Sequence, residues 1–223
     1  MKRSTFSRVA FGSAAVATVF GAVTGNETVH RVAKPLIVPA LALGMRRFSP
    51  VLGVALTAAT VGDVLLLDPD DDSKILRGAG AFAVMQGCYC ALLASAGGRP
   101  TLTAAVPRFF GWAVASSQLA RKSPEVAPGL AGYGVTLAAM STLAADPASA
   151  PGADVFAGVV VPNSDPRSWQ ALGGILFTVS DALIVYRRLY LSSEMSRRVV
   201  EGAILATYSA AQLLLVEGFT RQK

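Results

Sequence analysis

The chain has 223 residues, of which 52% are hydrophobic and only 15% charged. Soluble domains carry nearer 25% charged residues, and a mean hydropathy of +0.49 argues against a water-soluble domain and against a disordered chain. The formal charge of +6 comes from Lys and Arg clusters at segment ends, with no basic stripe interleaved with aromatics; this argues against nucleic-acid binding and for membrane-flanking anchors.

A spanning helix needs roughly 20 apolar residues, and about eight stretches approach that length. The first lies near 9–25, behind the basic opening KRSTFSR. Its length suits a retained first helix better than the short apolar core of a signal peptide. The second, near 27–45, carries Lys34-Pro35 inside VAKPLIVPALAL. Pro35 can start or kink a helix, and Lys34 can snorkel, hold a phosphate or tune a carboxylate. The third, near 51–67, carries Asp63 after Gly62. The acidic stretch DPDDDSK at 68–74 reads as a solvated turn, because it lacks the spacing and distal Glu of a calcium loop.

The fourth segment, near 78–96, sets Phe82, Gln86 and Tyr89 four and three residues apart, on one helical face. Its two cysteines, Cys88 and Cys90, point to different faces and are not placed to bridge. The fifth segment lies near 102–120. The sixth, near 126–145, sets Tyr133 and Met140 seven apart. A loop rich in Pro, Gly and Asp follows at 146–168, with an apolar piece from Val155 to Val161 that reads as dipping toward the interface. The seventh segment, near 169–189, carries Asp181 after Ser180, and the eighth, near 198–217, carries Tyr208 and Gln212 four apart. No internal repeat stands out.

Charge does not fix the orientation. Lys2, Arg3, Arg8, Arg46, Arg47, Arg221 and Lys223 favour cytoplasmic termini, but Arg187, Arg188, Arg197 and Arg198 then fall on the outer side, against the positive-inside tendency. His30 is the sole histidine, so a His-rich hydrolytic zinc site is not expected. A hard-metal site made of carboxylates stays open.

Asp63 and Asp181 stand inside otherwise apolar runs. An ionised carboxylate in the bilayer core costs several kcal/mol, so each must be paired, neutralised or wetted by a cavity, and each is a functional-site candidate. If the two converge, they cannot both ionise cheaply, and one retains a proton. That yields an acid and a base at neutral pH. Each could instead pair structurally, with Lys34 the obvious partner. Gln86 and Gln212 are amides that need hydrogen-bond partners when buried. With the tyrosines they could line a pocket with polar points in an apolar wall. No nucleophile elbow, phosphate-binding loop, dinucleotide fingerprint or zinc-protease motif is present.

Six pieces look familiar together: KPLIVPALAL at 34–43, GDVLLL at 62–67, FAVMQGCY at 82–89, YGVTLAAM at 133–140, GILFTVSDALIVY at 174–186 and YSAAQLLL at 208–215. In that order they resemble the YhhN family of membrane lysoplasmalogenases. The resemblance implies one all-α, polytopic membrane bundle of about eight transmembrane helices spanning 1–223. It also implies hydrolysis of the vinyl-ether bond of lysoplasmalogens to a fatty aldehyde and glycerophosphoethanolamine or glycerophosphocholine, without a cofactor or metal.

The family's acidic residues match Asp63 and Asp181, which become the catalytic pair. Either could be the acid. Lys34 would hold the phosphate; Tyr89, Tyr208 and Gln212 would position glycerol and water; Gln86, Tyr133 and Ser180 would complete the substrate pocket. Where the family motif has a histidine, this chain has Gln86, which cannot shuttle a proton at neutral pH. The expected partner is a lysophospholipid or ether lipid drawn from the bilayer, and the expected place is a bacterial plasma membrane. Two other classes fit the same residues: a proton-coupled transporter and a non-catalytic lipid-binding membrane protein.

Overall fold

The computed structural model describes residues 3–45, 49–156 and 159–221. Lys2, Arg46, Arg47 and Lys223, counted above among the flanking cations, lie outside these residues. Helix follows the apolar runs: α1 (Arg3–Thr24), α2 (Glu27–Ala33), α3 (Ile37–Leu43), α4 (Pro50–Leu65), α5 (Asp72–Ser95), α6 (Leu102–Lys122), α7 (Ala127–Ala144), α8 (Trp169–Tyr190) and α9 (Glu194–Phe219). Among the described residues the fold is all-α apart from one two-stranded ribbon.

Local chemistry sets the ends. Asn26 caps α2 by accepting from the Val29 amide at 3.1 Å, and Asp71 caps α5 by accepting from the Lys74 amide at 3.1 Å; both satisfy donors that a first helical turn leaves free. At the other end of α5, Gly97 takes φ +95°. Its amide bonds the Ala94 carbonyl and the Gly98 amide bonds the Leu93 carbonyl, each at 3.0 Å. That closes the helix with a left-handed residue that glycine adopts without strain.

Helix neighbours along the chain and across it build the bundle. The pairs α4–α5 and α8–α9 pack along their lengths, α5 lies on α7, and α1 lies on α9. The interior is filled by fully buried Ile37, Val38, Met85, Tyr89, Leu93, Met140 and Leu215. The outside is also apolar: Val16, Phe20, Val54, Val106 and Phe110 are exposed. Water does not tolerate so continuous an apolar exterior, and lipid does. Among the described residues, four helical stretches are long and apolar enough to cross a membrane: Thr5–Thr24, Asp72–Ser95, Pro166–Tyr190 and Glu194–Phe219.

Three segments depart from the sequence reading. The second apolar stretch is not one helix. Lys34–Leu36 forms a 3-10 turn led by Pro35, between α2 and α3, because proline lacks the amide that an unbroken α-helix needs there. α5 begins at Asp72, six residues before the expected 78, since its first turns are charged yet capped. The apolar piece in the 146–168 loop is an antiparallel ribbon, with Val155 opposite Val160 and Phe156 opposite Val159. Residues 157–158 at its tip lie outside the described residues. Val160 is buried with Ala150 and Ala171, which fixes the ribbon to the start of α8.

The acidic turn between α4 and α5 is clamped rather than merely solvated. Arg31 pairs with Asp68 at 2.6 Å, Lys74 with Asp68 at 2.5 Å, Arg197 with Asp70 at 2.5 Å and Arg188 with Asp72 at 2.7 Å. Hydrogen bonds from Lys74 and then Arg31 hold the Asp68 carboxyl below its ordinary range.

A candidate active site between two aspartate helices

A cavity of about 450 Å³ opens among α4, α5, α6, α7, α8 and α9. That volume lies within the range of small-molecule sites. Its wall is mainly apolar, with Phe82, Trp112, Phe177, Leu205 and Leu137 prominent. Asp63 and Asp181 both line it, as do Lys34, Tyr133, Ser180 and Tyr208.

Each aspartate is held the same way. The Tyr208 hydroxyl on α9 donates to Asp63 Oδ2 at 2.9 Å. The amide nitrogen of Gln212, one turn on, donates to that hydroxyl at 3.2 Å, and Tyr89 donates to the Gln212 carbonyl at 2.8 Å. On the other side the Tyr133 hydroxyl on α7 donates to Asp181 Oδ2. Gln86 donates to Tyr133 at 3.0 Å, and Thr136 donates to the Gln86 carbonyl at 2.5 Å. Both chains run carboxyl, tyrosine, glutamine, hydroxyl. A buried amide satisfied at both ends fixes its own orientation and that of the tyrosine before it.

The linkage is reciprocal. Asp63 belongs to the α4–α5 hairpin and is held through Tyr208 by Gln212 of the α8–α9 hairpin. Asp181 belongs to α8 and is held through Tyr133 by Gln86 of α5. With these roles in view, a sequence likeness becomes readable: Thr60-Val-Gly-Asp-Val-Leu-Leu-Leu67 on α4 matches Thr178-Val-Ser-Asp-Ala-Leu-Ile-Val185 on α8. The two threonines even make the same bond, each to the carbonyl four residues back at 2.9 Å. Phe82 and Gln86 likewise share the spacing of Tyr208 and Gln212.

The two carboxyls differ in their surroundings. Asp63 is buried, at 1% exposure, with the Lys34 ammonium in electrostatic reach. Lys34 is itself 5% exposed and donates to the Leu66 carbonyl at 2.8 Å. Asp181 is partly accessible, and among the described residues no cation acts on it. A Cβ on Gly62 would fall 2.6 Å from the Phe82 ring. The glycine therefore lets that ring sit beside Asp63, where it meets Tyr208 edge-on at 5.8 Å between centroids.

Three expected pocket residues are placed differently. Gln86, Tyr89 and Gln212 are fully buried and stand behind the wall, reaching the cavity only through Tyr133 and Tyr208. Ser180 lines the cavity, but its hydroxyl donates to the Ile204 carbonyl at 3.0 Å and ties α8 to α9. Sequence reasoning passed over Arg108, Trp112 and the buried Arg187–Glu201 ion pair at 3.1 Å, all in the wall. Arg108 left a signal, being a cation inside an apolar segment. Among the described residues no group of three His, Cys, Asp or Glu is placed to hold a metal ion.

A model of the YhhN family matches residues 29–219. No curated protein and no solved structure matches the chain.

Proposed function

The chain belongs to the YhhN family, and from that premise we propose an integral-membrane hydrolase that cleaves the vinyl-ether bond of lysoplasmalogens, with about eight spans in a bacterial plasma membrane. The observation that carries this reading is the pair of aspartates on one apolar cavity, each oriented by a tyrosine, with a cation beside only one of them.

On this reading the asymmetry divides the roles: Asp63, next to Lys34, is the carboxylate, and Asp181, with no cation beside it among the described residues, carries the proton. Tyr133 occupies Asp181 Oδ2, leaving the other carboxyl oxygen to donate into the cavity. Asp181 protonates the β-carbon of the vinyl ether, leaving an oxocarbenium ion that the Asp63 carboxylate stabilises. Water adds to the cationic carbon and gives its proton to Asp63. The hemiacetal then collapses: Asp63 returns its proton to the glycerol oxygen, and Asp181 takes the proton of the hemiacetal hydroxyl. The products are a fatty aldehyde and the glycerophospho-alcohol, and both carboxyls regain their starting states. Glycosidases handle a related cation with two carboxyls. Gln86 takes no part in proton transfer; it holds Tyr133.

Aldehyde release from lysoplasmenylethanolamine by the purified protein tests the reading, with Asp63→Asn and Asp181→Asn alongside. Turnover in the wild type, lost in both folded variants, is expected. A folded wild type with no turnover, beside an active relative, overturns the substrate assignment.

A further inference from the structure

Among the described residues four cations line the cavity, and three of them are matched. Arg187 pairs with Glu201 at 3.1 Å, Arg188 with Asp72 at 2.7 Å, and Lys34 stands by Asp63. Arg108 is the fourth. Its Nε donates to Ser141 Oγ at 2.8 Å and one terminal nitrogen donates to the Ala104 carbonyl at 2.8 Å. Both acceptors are neutral, and among the described residues no carboxylate pairs with it. A guanidinium carries five donors and does not deprotonate in proteins, so donors and a full charge remain at the cavity wall. In an apolar helix such a charge is expensive unless something answers it.

Its position fits one part of a lysolipid. Ser141 lies eight residues beyond Tyr133 on α7, so the guanidinium is displaced along the bundle from the Tyr133–Asp181 pair by about 12 Å. Gly174 packs directly against Ser141 and precedes Asp181 by seven residues on α8, which gives about 10 Å by the same rise. The chain from ether carbon through glycerol to phosphate, extended and with one hydrogen bond to the guanidinium, is what must cover that span.

We propose that Arg108, and not Lys34, is the phosphate anchor of this pocket: it receives the anionic phosphodiester of a lysophospholipid whose ether carbon lies between Asp63 and Asp181. This rests on reading the cavity as a lysolipid-ether site. Lys34 is withdrawn from that task by the Leu66 carbonyl and Asp63. Arg108 binds the bidentate oxyanion with donors aimed from a rigid fork, and the Ser141 hydroxyl, its oxygen already accepting from Nε, is free to donate beside it.

The test uses the full chain in detergent and ligands that cannot be cleaved: a saturated 1-O-alkyl lysophosphoethanolamine, the matching neutral 1-O-alkylglycerol, and inorganic phosphate. Trp112, one turn from Arg108 in the same wall, reports binding by its emission. The wild type should hold the phospholipid tighter than the alkylglycerol by about tenfold or more, the scale of one charge-assisted hydrogen bond. Arg108→Gln should erase that preference while leaving alkylglycerol affinity unchanged, which also shows the variant folded; Arg108→Lys should restore part of it. Phospholipid affinity that survives Arg108→Gln overturns the anchor. Inorganic phosphate that binds through Arg108 as tightly as the phospholipid does overturns the headgroup as its ligand. If neither lipid binds the wild type, anchor and pocket fall together. If the alkyl lysolipid binds through Arg108 yet the vinyl ether yields no aldehyde, the hydrolase reading fails and the anchor stands.

Discussion

Removing the two tyrosine hydroxyls one at a time should cost different amounts. Tyr208→Phe keeps the ring that packs on Phe82 and Phe177 at 5.8 and 5.7 Å, and it deletes only the oxygen between Asp63 and Gln212. Gln212 retains Tyr89 on its carbonyl and the Met85 sulfur, 3.2 Å from its amide nitrogen, so the loss falls mainly on Asp63. If Asp63 is the charged partner, the lost bond is charge-assisted and folding stability falls by about 1.5–3 kcal/mol. Tyr133→Phe removes the equivalent bond from a neutral Asp181, which costs about 0.5–1.5 kcal/mol. The assay is reversible denaturation of the purified variants at neutral pH. An equal loss of stability, or a larger one from Tyr133→Phe, refutes the assignment of charge to Asp63 and proton to Asp181.

Gly62→Ala forces a methyl group against the Phe82 ring and should lower stability by about 1–3 kcal/mol as an overpacked site; Gly80→Ala, with open space around it, serves as the control in the same thermal melts. Arg187→Met leaves Glu201 buried without its cation and should destabilise by about 3–5 kcal/mol, while adding Glu201→Gln should recover most of it in denaturation measurements. The Asp68 carboxyl is held below its ordinary value by Lys74 and Arg31, so its contribution is complete above the ordinary carboxylate range and is lost as pH falls through the depressed value. Melting temperatures of the wild type and Asp68→Asn should therefore differ at neutral pH and converge in acid; a constant gap would refute the clamp's role.

Much of the bundle was readable because apolar length is a crude and strong signal. Seven of the eight expected stretches each lie on one helix, and the break in the second follows from the missing amide of Pro35. The start of α5 was missed because Asp72, Lys74 and Arg77 look like loop residues, although a capping Asp71 and the ion pairs Asp72–Arg188 and Lys74–Asp68 hold the first turn in helix. The two aspartates were legible as charges out of place. The depth of Gln86, Tyr89 and Gln212 was not, since spacing tells which residues share a face and not what stands in front of it. Arg108 was overlooked although it is a cation inside the fifth apolar segment, because nothing in the sequence places a lone arginine on a cavity wall. The likeness of the octapeptides at 60–67 and 178–185 stayed hidden until their aspartates were seen in matching frames: eight residues of small and aliphatic type are common in any apolar chain.

The crossed linkage has the logic of a two-fold assembly. When residue i of one unit meets residue j of another and the converse also holds, the arrangement is that of an isologous dimer. Here both hairpins lie in one chain, each supplying the carboxyl that a glutamine of the other steadies. Neither hairpin would present an oriented acid by itself. A single chain is also released from the obligation to stay symmetric: Lys34 stands by one carboxyl alone, and Tyr133 comes from α7 where Tyr208 comes from α9. Two like frames thereby hold their acids in unlike surroundings on the same pocket.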